Sequence, residues 1–282
     1  ECRSILVVGM PYHPPLDPHP KDSLPRGRVA AYAVGADYHL VIPPRLQKLV
    51  EFLEAQIGQP IPNRYYTDTG PLLERDLAQR AGLGWIGKNT CLISPKSGSY
   101  FLLGEILLGL ELPPDPPFVS DHCGTCTRCI EACPTGCIRP DRTLDARQCI
   151  SYLTIENKGD IPLELRPKLG EWVFGCDICQ MVCPWNRRFG QHEVDAAFQP
   201  RAGLPFPLIA EELSLTPQAF NRKFKDSPLK RAKRRGYQRN LTVAAANSGE
   251  KSLQPILEAA SQSPDEPLVS RHAAWAAKTL KK

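Results

Sequence analysis

Hydrophobic and polar positions in the first part of the chain follow strand-like and helix-like patterns in turn. SILVVGM (4–10) is a continuous apolar run of the length typical of a buried strand. PRLQKLVEFLEAQIG (44–58) has apolar residues at helical spacing and ends on a glycine, and LLERDLAQRAGLG (72–84) repeats this pattern. The PPDPP run (113–117) can continue neither a helix nor a central strand, so we expect a boundary there. We therefore predict a mixed α/β domain over residues 1–117.

The pattern becomes helical again after about residue 205. Short amphipathic segments are separated there by Gly, Pro or Asp turns: LIAEELSLTPQAFNRKF, GYQRNLTVAAANSG, SLQPILEAASQ and PLVSRHAAWAAKTL. Such segments predict HEAT-like helix pairs over residues 191–282, although two or three pairs are few for a repeat array. Residues 118–190 lie between these regions, contain many prolines, and are predicted to form a domain of their own.

Composition narrows the class of protein. A chain of 282 residues can bury a substantial core, and 42% hydrophobic with 23% charged residues is typical of globular proteins. The apolar run YFLLGEILLGLEL (100–112) is too short to cross a bilayer and contains Glu105, so we expect no membrane association. The chain begins on Glu1 with a predicted strand almost at once, so we expect that an N-terminal piece is missing.

Nine of the eleven cysteines lie between residues 123 and 183, in spacing typical of metal ligands. Disulfide scaffolds are usually short secreted chains, so metal binding in a reducing compartment, the cytoplasm, is the better interpretation. HCGTCTRCIEACP (122–134) has the C-x₂-C-x₂-C-x₃-C-P spacing of two-cluster ferredoxins, in which the fourth cysteine binds the other cluster. CDICQMVCP (176–184) is the same motif without its first cysteine, where Val173 stands.

Crossing the fourth ligands assigns four thiolates to the first [4Fe–4S] cluster: Cys123, Cys126, Cys129 and Cys183. The second cluster takes Cys133, Cys176, Cys179 and one further thiolate. Cys137 and Cys149 are the candidates, and we favour Cys149 because Cys137 follows Cys133 so closely that the chelate would be cramped. A zinc knuckle is the alternative, which two triplets each ending in Cys-Pro disfavour. We expect Cys2, Cys91 and Cys137 to be ordinary thiols.

Residues 65–90, YYTDTGPLLERDLAQRAGLGWIGKNT, are dense in glycine and polar residues and could form a ligand pocket. Asp68, Lys88 and Asn89 lie near its predicted turns. Alternatively, Asp68 caps a helix that begins at Pro71. The glycines do not form a dinucleotide-binding fingerprint.

Several motifs together resemble those of epoxyqueuosine reductases: YYTDTGPLLER, GLGWIGKNTCLI, HCGTCTRCIEACPTGCI, DARQCISYLTIENKG, GCDICQMVCPWN and SPLKRAKRRGYQRN. The resemblance implies a cobalamin-dependent enzyme with two [4Fe–4S] clusters, which removes the epoxide oxygen of epoxyqueuosine at the wobble position of a tRNA anticodon. It implies that Asp68 is a proton donor that also lies against cobalamin, and that Cys149 is the fourth ligand of the second cluster. It also implies that Lys88, Asn89 and Ser151 belong to the cobalamin pocket. A proton donor needs a raised pKa, which we expect from burial of Asp68 against the corrin and the substrate.

The net charge is only +5, but residues 222–239, RKFKDSPLKRAKRRGYQR, contain nine Lys or Arg. This run is either a solvated helix face or a surface that binds phosphates. The resemblance favours an anticodon stem-loop, with Tyr237 and Trp185 stacking on unpaired bases. The predicted tRNA-binding residues are Arg187, Arg188, Arg231, Lys233, Arg234 and Arg235.

We therefore predict an α/β cobalamin-binding domain, a ferredoxin-like two-cluster domain and a helical HEAT-like region. We expect a monomer that receives electrons from an external donor. Three other functions stay open: a plain two-cluster electron carrier, a reductive dehalogenase-like corrinoid enzyme, and a tRNA-binding module without catalysis.

Overall fold

The longest strands belong to one antiparallel sheet. The structure, a computed structural model, describes residues 1–12, 22, 24–190 and 193–282. The strands in these residues are β1 (Ser4–Pro11), β2 (Arg28–Val29), β3 (Asn63–Tyr66), β4 (Trp85–Ile86), β5 (Leu92–Ile93), β6 (Phe101–Leu108) and β7 (Trp172–Phe174). The main sheet has the order β1-β6-β3, with both neighbouring pairs antiparallel. The apolar run predicted as a strand forms β1, so that prediction is confirmed.

Helices account for most of the remaining regular structure. In the same residues they are α1 (Tyr38–Ile57), α2 (Glu74–Arg80), α3 (Arg128–Ala132), α4 (Ile150–Ile155), α5 (Ile178–Met181), α6 (Pro184–Phe189), α7 (Ile209–Leu213), α8 (Pro217–Lys223), α9 (Lys233–Ser248), α10 (Gln254–Ser261) and α11 (Pro267–Leu280). None of these helices combines the length and the hydropathy that a membrane crossing would need.

Helix α1 covers the main sheet and starts earlier than its pattern predicts. The Asp37 carboxylate accepts the His39 backbone N–H and caps the first turn, because the first N–H groups of a helix have no partner within it. Gly58 ends the helix in the left-handed conformation, as predicted. The apolar face of α1 buries Ile42 and Leu46, which pack in one core with Ile106 of β6. This packing fixes helix α1 against β6, the central strand of the sheet.

A second core joins all three predicted segments of the chain. Strand β2 pairs in parallel with β7, which lies more than 140 residues later. Val29 of β2 and Phe174 of β7 pack there with Tyr237 and Leu241 of helix α9. The predicted boundaries after residues 117 and 190 therefore separate segments that share one hydrophobic core.

The C-terminal region is helical, as predicted. Helix α9 packs against α11, and α11 packs against α10. These contacts fit the predicted helix pairs, and a HEAT-like identity for them stays a prediction.

Candidate functional site

A large open cavity lies between the main sheet, α1 and the cysteine-rich segment. Its volume is about 730 Å³, and its lining includes Tyr12, Tyr38, Asp68, Cys91, Ser151 and Gln180. These residues come from the end of β1, the start of α1, the turn after β3, the loop before β5, and helices α4 and α5. Ser151, which the resemblance assigns to a cobalamin pocket, thus lines this cavity. The cavity is far larger than a site for a single ion and can admit part of a large planar cofactor.

Asp68 lies on the turn after β3 in a left-handed backbone conformation, with φ of 57°. For a residue other than glycine this conformation costs about 1–2 kcal/mol, so neighbouring contacts must hold it. Tyr38 donates its hydroxyl to Asp68 Oδ2 at 2.6 Å, and His39 Nε2 lies 3.6 Å from the same oxygen. Helix α2 begins only at Glu74, so the alternative that Asp68 caps a helix starting at Pro71 is wrong.

The Asp68 carboxyl is mostly exposed in this structure, and its pKa is lowered. Its side chain is 64% exposed, and hydrogen bonding from His39 is the main cause of a pKa below the ordinary value. The pKa of His39 rises to about 9, mainly through its hydrogen bond with Asp37 and then through that with Asp68. In this arrangement the proton is on His39 and Asp68 is ionised. The raised pKa that we expect from burial of Asp68 against the corrin and the substrate stays a prediction.

His39 and Tyr38 are functional candidates that sequence reasoning missed. Asp37 Oδ1 lies 2.7 Å from His39 Nδ1, which orients the imidazole so that Nε2 faces Asp68. The Asp-Tyr-His sequence at the start of α1 is the signal that could have been noticed.

The first set of cysteines surrounds a smaller cavity of about 190 Å³. The four thiols that line it are Cys123, Cys126, Cys129 and Cys183. The structure therefore brings together the set that was predicted by crossing the fourth ligands. Trp85 donates its indole N–H to Cys123 Sγ at 3.4 Å, and such hydrogen bonds are one means by which a protein tunes the potential of a cluster.

Lys88 and Asn89 lie at this smaller cavity rather than in the large one. The Lys88 ammonium donates to the carbonyls of Gly124 and Cys126, at 2.7 and 3.0 Å. Asn89 is buried, and its Oδ1 accepts the Cys91 backbone N–H. Their polar groups organise the loop that carries the first cysteine set, and the placement of Lys88 and Asn89 in a cobalamin pocket stays a prediction.

The second set of cysteines lies beside the large cavity. Burial raises the pKa of Cys176, and the neighbouring charges of Cys149 and Cys133 raise it further. Cys137 is also close, with its Sγ 3.4 Å from that of Cys133. Both candidates for the fourth ligand therefore lie in this group. No three His, Cys, Asp or Glu side chains of the described residues meet the geometry of a single-ion site.

Cys91 links the second cysteine set to the large cavity. It lines the cavity, and its thiol is within hydrogen-bonding reach of Cys179. We expected Cys91 to be an ordinary thiol, because its position in the sequence fits no spacing typical of cluster ligands. The wall of the cavity therefore directly adjoins a predicted cluster ligand.

The basic stretch is only partly available to a polyanion. Tyr237 and Arg239 are fully buried, so Tyr237 cannot stack on a base, and that prediction is wrong. Arg239 instead donates to the carbonyls of Leu153, Asn157 and Gly159. These bonds tie helix α9 to the end of helix α4.

Arg231, Lys233 and Arg235 are exposed, whereas Arg234 is partly buried and donates to Gln238 and Glu266. Arg231 forms an ion pair with Glu156 at 2.8 Å, and its charge also acts on the Asp68 carboxyl. Arg231 therefore lies near enough to the large cavity for its charge to act on Asp68.

The remaining predicted RNA contacts lie on helix α6. Arg187 and Arg188 are exposed there. Trp185 packs against the rings of Trp85, His122 and Phe189, beside the first cysteine set. Its predicted stacking on unpaired bases is therefore not supported.

Comparison with known proteins decides the family. Residues 122–186 match a family model described as a 4Fe-4S double cluster binding domain, and residues 1–69 match one described as epoxyqueuosine reductase QueG, DUF1730. The epoxyqueuosine reductase of Pseudomonas aeruginosa is 47% identical over 250 residues, which are 88% of this chain and 68% of that protein. That of Xanthomonas campestris is 44% identical over 276 residues, 96% of this chain and 77% of that protein. The chain belongs to the epoxyqueuosine reductase family.

Solved epoxyqueuosine reductases share the fold of the chain. A crystal structure of one with an epoxyqueuosine-modified tRNA-Tyr stem loop aligns with a TM-score of 0.91 and 32% identity, over 99% of this chain and 73% of that one. The Bacillus subtilis enzyme, with its catalytic aspartate loop swung out of the active site, aligns at 0.89 and 32%, over 98% and 73%. The predicted family and the predicted double [4Fe–4S] domain are confirmed, and the zinc alternative is not supported.

Proposed function

We propose that this chain reduces epoxyqueuosine to queuosine at the wobble position of a tRNA anticodon, with the epoxide bound in the large cavity beside Asp68. Membership of the epoxyqueuosine reductase family supports an oxidoreductase that acts on tRNA. The observation that carries the proposal is the Asp68 carboxylate at a cavity of about 730 Å³, with the Arg231 cation at one side and cysteines at the other.

We assign the iron–sulfur ligands as the sequence predicted. Cys123, Cys126, Cys129 and Cys183 would hold the first cluster, and Cys133, Cys149, Cys176 and Cys179 the second. The thiolate donor set suits this cofactor, because cysteine thiolates are the usual ligands of [4Fe–4S] clusters. The Lys88 ammonium would brace the loop of the first cluster through two carbonyls.

Cobalamin would occupy the large cavity, where Ser151, Gln180 and Cys91 form part of the lining. The size of the cavity, its aromatic walls and its contact with the second cysteine set fit this group. When bound, reduced cobalamin supplies a two-electron reductant, for which the clusters deliver single electrons. Cys91 lies between the cavity and Cys179 and would separate cofactor from cluster by one side chain.

Loss of the epoxide oxygen as water requires two protons, of which the His39–Asp68 pair can deliver one and solvent at the open cavity the other. A nucleobase that enters the cavity would desolvate the Asp68 carboxylate and raise its pKa. Asp68 would then take the proton of His39 Nε2, 3.6 Å away, and pass it to the departing oxygen. Tyr38, whose hydroxyl donates to Asp68 Oδ2, would hold the carboxylate in place during this transfer.

The rim of the cavity would bind the anticodon stem-loop through phosphates. Lys158 donates to the carbonyls of Ile155 and Arg231, and the nearby charges of Arg231 and Lys233 help to lower its pKa, after burial. A concentration of cations that depresses the pKa of a lysine favours an anion nearby. An external electron donor, a monomeric state and cytoplasmic localisation remain predictions of this proposal.

The test is reconstitution with iron, sulfide and cobalamin, followed by an assay on tRNA that contains epoxyqueuosine. The Asp68→Asn protein should keep tRNA and cobalamin binding but lose turnover by about 10²-fold or more. Full turnover by this variant would refute the role of Asp68. Cluster absorption without cobalamin binding would favour a plain electron carrier, and tRNA binding without turnover of the unaltered chain would favour a non-catalytic module.

A further inference from the structure

The turn that carries Asp68 is fixed to strand β6 at its first residue. The buried Thr67 hydroxyl donates to the carbonyl of Leu103 at 2.6 Å. At the end of the turn, a Cβ on Gly70 would lie 2.7 Å from the ring of Tyr66, so only glycine fits there without a shift. Asp68 lies between these two points in its left-handed conformation, and this strained backbone requires a further contact to stabilise it.

Glu74, at the start of helix α2, provides that contact. The Asp68 backbone N–H donates to Glu74 Oε1 in a short hydrogen bond. This bond acts on the main chain and leaves the Asp68 carboxyl free to face Tyr38 and His39. Glu74 also lines the large cavity, so its carboxyl lies between the turn and the interior of the protein.

Behind Glu74 lies a second carboxyl that the proposed reaction does not use. Glu105 is on β6, opposite Val7 of β1 and Tyr66 of β3, and its side chain is fully buried. No hydrogen-bond donor of the described residues reaches either of its carboxyl oxygens. The group within hydrogen-bonding reach is the carboxyl of Glu74.

Two carboxyls in contact cannot both be ionised at low cost, so they hold one proton between them. Burial, and then the charge of Glu74, raise the pKa of Glu105 to about 8, so the proton belongs to Glu105 at neutral pH. Burial raises the pKa of Glu74 as well, but the Asp68 backbone N–H and the hydrogen bond from Glu105 favour its charged form. The protonated Glu105 then donates to Glu74, which in turn accepts from Asp68.

We propose that Glu74 and Glu105 form a one-proton latch that holds the Asp68 turn in its working position, which rests on the proposed role of Asp68 as proton donor. Neither residue is catalytic; both are positioning residues that act through the main chain of Asp68. When Glu105 loses its proton, two carboxylates face each other under the turn and the hold weakens. The latch would thereby make the position of Asp68 depend on a proton that never enters the reaction.

The test combines amide hydrogen exchange with turnover, on the holoenzyme reconstituted with clusters and cobalamin. Glu74→Ala should speed exchange of the Asp68 amide at least tenfold and lower kcat about tenfold, with KM for tRNA within twofold. Glu105→Gln keeps a neutral donor, so it should match the unaltered enzyme in both measurements at pH 7. Above pH 8 the unaltered enzyme should lose protection of the Asp68 amide, after correction for intrinsic exchange, and Glu105→Gln should retain it.

Unchanged exchange at Asp68 in Glu74→Ala would overturn the latch, as would a Glu105→Gln enzyme that loses protection at pH 7. If Glu74→Ala does not fold, the pH comparison between the unaltered enzyme and Glu105→Gln decides alone, because the loss of protection above pH 8 must be absent from that variant. Exchange is read without turnover, so full activity of Asp68→Asn with an intact exchange pattern would refute the proton-donor role and leave the latch standing.

Discussion

Glu105→Gln should stabilise the fold in a manner that depends on pH. Glu105 is fully buried and its pKa is about 8, against an ordinary value of 4.5 in the unfolded chain. The native state therefore binds more protons than the unfolded state between these two values, and stability falls as pH rises through that window. Above pH 8 both states have released the proton, so the difference no longer grows.

The size of the effect follows from the interval between the two pKa values. A pH of 7 is about 2.5 units above the pKa of this carboxyl in the unfolded chain. The folded state therefore loses up to about 3 kcal/mol of stability relative to low pH. Gln does not titrate and carries no such penalty. Between pH 4.5 and 7 the free energy of unfolding of the variant should therefore rise by about this amount relative to that of the original chain. For a chain of this length that is a difference in Tm of about 6 °C.

The assay is anaerobic thermal unfolding of both reconstituted proteins at pH 5, 6, 7 and 8. The difference in Tm between the two proteins should change little up to pH 5. From pH 5 to pH 8 it should increase progressively in favour of Glu105→Gln. Glu212→Gln is a matched control, since Glu212 is equally buried but forms an ion pair with Lys223. A Tm difference between the Glu105→Gln and unaltered proteins that is the same at every pH would refute the reasoning, because a charge-independent packing effect would then explain it.

Other predictions test the cluster ligands, the RNA surface and the proton supply. Cys149→Ala should lose about half of the bound iron, while Cys137→Ala should retain it, as measured by iron analysis; the reverse would make Cys137 the ligand. Lys233→Glu should weaken tRNA binding and lower the salt slope by about one, whereas Lys251→Glu should do neither; equal effects would indicate only a net-charge effect. His39→Gln should lower kcat about 10²-fold and remove the decline in activity as pH rises through about 9, and an unchanged pH profile would exclude His39 as the proton store.

The parts of the site that depend on local sequence were predictable, and those that depend on tertiary packing were not. Cysteine spacing indicates cluster ligands because a chelating loop must place successive thiolates around one cofactor. Asp68 could be singled out from its motif, but its low pKa comes from His39, which lies on another element. Likewise, Glu105 stands out as a single Glu in the apolar pattern of β6, but the sequence does not predict that the Glu74 carboxyl lies against it.

For the basic stretch, the sequence predicted more exposed charge than the structure has. Nine cations in eighteen residues suggested one charged surface, yet the chain there folds into a helix whose inner face must be buried. Arg239 falls on that face and satisfies three carbonyls, while Lys233 and Arg235 remain exposed. Charge density alone cannot distinguish these cases, because the distinction depends on which side of α9 meets Phe174 and its neighbours.

The pairing of β2 with β7 has a consequence for the order in which the protein is made. The backbone N–H groups of Ala30 and Ala31 bond to Phe174 and Asp177, so the N-terminal region completes its hydrogen bonding only after residue 177 has been synthesised. Long-range contacts of this kind close late, because chain entropy opposes them until both partners are present. The cysteines of the first motif therefore leave the ribosome before β2 can pair with β7, and their predicted partner Cys183 leaves it only afterwards.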